Sequence, residues 1–142
     1  MASKLIPNLG ATNFANWTTF TPSKASITVG NGTEVARYLQ NGKAVNVFYQ
    51  LILGSTSAIT GLPSIGSLPT AARSAFNAGQ TTLQDTGNAT YAGTVHIISG
   101  TAYTQALLAN GTYVNAANPS STVPFTWGDT DVLTMQFAYE VV

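Results

Sequence analysis

A chain of 142 residues with zero formal net charge fits one domain with a core of its own, and its lack of cysteine excludes both a disulfide framework and a thiolate metal site. Only 7% of its residues are charged, against about 25% in an ordinary soluble domain, and five scattered lysines and arginines fall short of the basic patch that nucleic-acid binding needs. No apolar run approaches the roughly 18 residues of a membrane span, and Met1–Gly10 lacks the apolar stretch of a signal peptide.

A neutral surface of Thr, Ser, Asn, Gln, Gly and Ala lacks the charge that usually keeps a monomer dispersed, which points to a protein held inside a larger assembly. The alternative is a monomer solubilised by hydroxyls and amides. The charges are unevenly placed. Lys4, Lys24, Arg37, Lys43 and Arg73 all lie at or before residue 73, and Asp85, Asp129, Asp131 and Glu140 after it. A head-to-tail subunit contact could use that asymmetry, although solvated loops explain it equally well.

In chain order, Ser26–Val29 and Glu34–Gln40 read as strands separated by the turn signal Gly30-Asn31-Gly32. Asn41-Gly42 then predicts a tight hairpin into Ala44–Leu53, where Val45, Val47, Tyr49, Leu51 and Leu53 share one face. The other face carries Phe48 and Ile52 beside Asn46 and Gln50. A strand apolar on both faces is covered on both, either between layers or under a neighbouring subunit, and the missing surface charge favours the subunit. Gly54–Pro69, with Ile59, Leu62, Ile65 and Leu68, reads as a long loop, functional or packed against a partner. Thr70–Ala78, between Pro69 and Gly79, is the one helical candidate, two turns at most. Thr90–Ser99, Thr101–Ala109 and Thr112–Asn115 read as further strands, punctuated by Gly87-Asn88 and Asn110-Gly111. The chain closes on Asp131–Val142, where Leu133, Met135, Phe137, Tyr139 and Val141 alternate with polar residues. Turns at this spacing predict an all-β antiparallel sandwich, jelly roll or barrel.

The stock of catalytic groups is thin. His96 is the sole histidine and lies mid-strand, with no nucleophile elbow, phosphate-binding glycine loop or zinc-binding helix motif elsewhere. Asp129-Thr130-Asp131 could offer two carboxylates to calcium, but Asp129 fits equally as the residue closing the turn before the last strand. The reading is therefore a non-enzymatic protein with no metal and no cofactor. Trp17, Trp127 and the six tyrosines could form sugar-stacking platforms, although aromatics more often fill a β core or an interface.

The order of certain motifs resembles a known family. Trp17-Thr-Thr-Phe-Thr-Pro22, Val29-Gly-Asn-Gly-Thr33, Arg37-Tyr38 and Asn41-Gly-Lys-Ala-Val45 come first. Leu51-Ile-Leu-Gly-Ser-Thr-Ser57, Leu68-Pro69 and Pro124-Phe-Thr-Trp-Gly-Asp129 follow. Together they are similar to the β-rich domain of actinobacteriophage virions, found distally on minor tail proteins and as small stand-alone virion proteins. The resemblance covers nearly the whole chain and implies a jelly-roll-like sandwich, commonly trimeric, with no catalytic residues. Sixteen residues precede Trp17. They are too few for a tail-anchoring domain but reach roughly 50 Å when extended. The expected organisation is thus an N-terminal arm over 1–16 and one sandwich domain over 17–142.

Within that family the reading is a homotrimeric capsid decoration (cement) protein on the outer capsid surface, assembled in the host cytoplasm and bound to the major capsid protein. Leu5, Ile6, Leu9 and Phe14 would anchor the arm, and Phe48, Ile52, Ile59, Leu62 and Ile65 would make subunit contacts. The alternative is a tail-tip or tail-fibre domain binding host-surface glycans.

Overall fold

The computed structural model describes residues 16–73 and 76–142. The protein is all-β and antiparallel, with no helix among the described residues. Its strands are β1 (Thr18–Thr19), β2 (Ser23–Thr28), β3 (Thr33–Asn41), β4 (Ala44–Ile52), β5 (Ala58–Gly66), β6 (Phe76–Asp85), β7 (Ala89–Ile98), β8 (Thr101–Asn110), β9 (Tyr113–Ala117) and β10 (Val132–Glu140). They hydrogen-bond into one continuous sheet in the order β1-β3-β4-β10-β6-β7-β8-β5-β2, and β9 pairs with β8 beside that path.

This sheet curls on itself, because the inner-facing residues of strands far apart in the order meet in a single core. Val45, Val47, Tyr49 and Leu51 of β4 pack with Leu133, Met135 and Phe137 of β10, Leu83 of β6, Val95 and Ile97 of β7, Ala102 and Ala106 of β8, and Ile59 and Ile65 of β5. Period-two alternation dictates this arrangement, since every second side chain on a strand faces the same way. Tight turns keep the register. Gly42 and Gly111 adopt φ of 58° and 64° at the first position of two-residue loops. Ser99 and Gly100 both take positive φ between β7 and β8, as a type I′ turn requires.

Three expectations are corrected. Phe76 opens β6, and Ala72 forms a bridge with Val141 instead of a helical turn. A two-turn segment carries too few hydrogen bonds to offset helix nucleation, whereas β6 gains pairing with both β10 and β7. The expected loop over Gly54–Pro69 contains strand β5, paired with β2 and β8. Its glycines and Pro63 masked the alternation. Ile59 and Ile65 consequently lie in the chain's own core, with no surface to offer a neighbour. The arm residues Leu5, Ile6, Leu9 and Phe14 fall outside the described residues.

Tyr49 combines core packing with a polar anchor. Its ring is fully buried, and its hydroxyl donates to Glu34 Oε1 at 2.9 Å, which Lys24 also approaches at 3.0 Å. Burial, reinforced by the charge of Glu34 and by that hydrogen bond, holds the phenol far above its ordinary value of 10. The folded protein therefore keeps a proton that the unfolded chain releases above about pH 10, so stability falls as pH rises through that value. Tyr49→Phe is expected to cost about 1.5 kcal/mol near neutral pH and to flatten the alkaline loss. Urea titrations near neutrality and at about pH 11 check both effects.

Candidate functional site

The outward face of the sheet is a broad surface left uncovered by the described residues. Register places Thr19, Arg37, Phe48, Gln136, Gln80, Thr94 and Gln105 in one unbroken row across β1, β3, β4, β10, β6, β7 and β8. The neighbouring row runs Val35, Gln50, Thr134, Thr82 and Ala92, with Gln50 Nε2 donating to Thr134 Oγ1 at 3.2 Å. Amides and hydroxyls thus tile this face, and Arg37 is the one charge in either row.

At the β1 end of the row an aromatic clamp holds that charge. The Arg37 guanidinium carbon sits 5.1 Å from the Trp17 ring centre and 4.8 Å from that of Phe48. Each stack is a cation–π contact. The two ion pairs among the described residues, Lys24 with Glu34 and Arg73 with Glu140, leave Arg37 out. Beside the clamp lies an open groove of about 910 Å³, lined by Trp17, Arg37, Phe48, Asn46, Gln80 and Gln136 among others. Trp17 is 47% exposed. Sequence reasoning singled out Phe48 for its face of β4 and Trp17 as an aromatic, but could not pair them with Arg37. Only the β3–β4 register brings Arg37 opposite Phe48.

A second exposed feature is the β8–β9 hairpin. Beyond the Gly93–Ala106 pair, Leu107–Asn110 pair with β9 alone. This tip carries Tyr113 at 74% and Val114 at 65% exposure, and Leu107 on β8 is also exposed. No Lys, Arg, His, Asp or Glu occurs between His96 and Asp129. The expected interface residues divide accordingly. Phe48 is half-buried under Arg37, Ile52 is 40% exposed on the outward face, and Leu62 is half-buried on β5.

The groups considered for chemistry are dispersed. His96 Nδ1 lies 2.7 Å from Asn77 Oδ1 on the adjacent strand, and no cluster of metal-ligating side chains occurs among the described residues. The closing-turn role expected of Asp129 belongs to Asp131. Asp131 is buried, and its carboxylate accepts from Thr86 N at 2.9 Å and Gly128 N at 2.7 Å. It ties the segment before β10 to the β6–β7 turn, with Phe125 packed between Tyr91 and Trp127 alongside. Asp131→Ala is expected to lower stability by about 3 kcal/mol, since hydrogen bonds to a charged acceptor contribute more than neutral ones. Thermal melting of the variant checks this.

With this geometry in hand, comparison with protein-family models, curated proteins and solved structures returns no match.

Proposed function

We propose that the chain is a structural protein of a bacteriophage particle, a homotrimeric decoration (cement) protein of the capsid exterior. The observation that carries this reading is the uncharged β8–β9 tip with Tyr113 and Val114 in solvent. A two-stranded hairpin is marginal alone in water, and burying such side chains contributes about 1.5–3 kcal/mol each. Contact with sister subunits is the simplest way to gain it. The motif order from Trp17 to Asp129 supplies the viral part of the reading. Stabilisation of the shell would follow mass action, because a protein that binds the assembled lattice and not its separated parts shifts the equilibrium toward the lattice.

Co-sedimentation with heads of the phage that encodes the protein tests it. The full chain should pellet with the heads and raise their disassembly temperature. The chain lacking Met1–Asn16 should stay in the supernatant as a trimer. Attachment of that truncation would remove Leu5, Ile6, Leu9 and Phe14 from the account, and failure of the full chain to bind would end the capsid reading.

A second reading is a tail-tip or tail-fibre domain that binds a host-surface glycan. The groove beside Trp17 favours it, because an exposed aromatic among amide side chains is a surface suited to sugar hydroxyls and apolar ring faces.

A further inference from the structure

We infer that the Trp17–Arg37–Phe48 groove is a saccharide site selective for sugars that carry a carboxylate. The inference rests on the glycan reading above and deepens it by naming the ligand class. Its starting point is the state of Arg37. The guanidinium is flanked by two aromatic rings, and both ion pairs of the described residues lie elsewhere. A cation–π contact leaves the charge without a carboxylate partner, and neither ion pair of the described residues uses the N–H donors of Arg37. A guanidinium matches a carboxylate with two parallel hydrogen bonds, which a flexible ammonium cannot reproduce.

The ground beside the clamp sets the rest of the ligand. Gln136 and Gln80 continue the Arg37–Phe48 row on β10 and β6, and Asn46 stands two residues from Phe48 along β4. Adjacent strands are about 4.8 Å apart, a spacing comparable to the width of a pyranose ring. Each amide offers both a donor and an acceptor, which suits hydroxyls that must do both. No carboxylate among the described residues lines the groove, so an anionic sugar meets no repulsion from them and finds a complementary charge at Arg37. A chain of acidic sugars lying across the strands from Arg37 toward Gln80 fits this order of groups.

Binding of tetraglucuronate and of its carboxyl-reduced, glucose-configured counterpart to the full chain, read by titration calorimetry, tests the inference. The acidic sugar should bind at least about tenfold more tightly, a difference of about 1.4 kcal/mol. Added salt should weaken the acidic sugar alone. Arg37→Gln should abolish the preference while leaving the thermal transition in place. Arg37→Lys should restore little of it, because the fork and the stacking plane are lost. Trp17→Ala should weaken both sugars. Equal binding of the two, or a preference that survives Arg37→Gln, overturns the acidic selectivity and leaves the glycan reading standing. Binding of neither sugar overturns both.

Discussion

Leu133→Ala should destabilise the protein by about 4 kcal/mol, within the range seen when a buried leucine is truncated. Leu133 is fully buried, and its strand is interior to the sheet, paired along its length with β4 on one side and over Val132–Phe137 with β6 on the other. Its direct neighbours across those strands are Leu51 and Leu83, both also fully buried. The loss therefore combines the transfer energy of the missing atoms with a cavity that two paired strands cannot readily collapse. Thermal unfolding should shift downward by on the order of 10–15 °C. The outward neighbour Thr134, half-buried and replaced by alanine, should move the transition far less, because it loses one hydrogen bond from Gln50 and leaves no core cavity.

Gly93→Val should be comparably severe for a different reason. Gly93 is a buried residue of β7 paired with Ala106 of β8 and Thr81 of β6. A Cβ at this position would overlap the carbonyl oxygen of Gln105 and the methyl of Thr81. The oxygen belongs to backbone, which cannot turn aside as a side-chain end would. Forcing atoms into a packed site costs about 3 kcal/mol or more, and relief would require β7 and β8 to part. The expected result is low yield of folded protein and lost amide protection in β7 and β8 by hydrogen exchange, while β3 and β4 retain more of theirs. A folded variant with an unshifted transition would mean that the two strands are less closely packed than the structure has them.

Much of the sheet was legible because alternation is a local signal. The inner faces of β4 and β10 follow directly from Val45-x-Val47-x-Tyr49-x-Leu51 and from Leu133-x-Met135-x-Phe137-x-Tyr139. Asn41-Gly42 and Asn110-Gly111 marked their hairpins because positive φ is cheap at glycine. β5 and β6 were hidden. In β5 the run Thr60-Gly61-Leu62-Pro63 breaks the pattern, and burial then falls on four residues in succession, Pro63 through Gly66. β6 begins with a register shift between Asn77 and Gly79, and Pro69, the alanines that follow it and Gly79 mimic helix punctuation. The outward face was illegible for a deeper reason. The row from Arg37 to Gln105 joins residues from six strands through register alone. No local motif announces it.

Non-local contacts also explain the Asp129 and Asp131 outcome. Both sit beside a turn signal, but only the buried one can accept from Thr86, 45 residues away in sequence. The sequence shows two carboxylates at a turn, and the partner that decides between them lies on another hairpin.

The claim on which the functional account depends is that this charge-poor sheet associates with copies of itself. Sedimentation equilibrium over a wide range of protein concentration measures that directly. The account predicts a species three times the 14.8 kDa chain mass, converted toward monomer by Tyr113→Asp together with Val114→Asp. A single species at the mass of one chain across the whole range would contradict it.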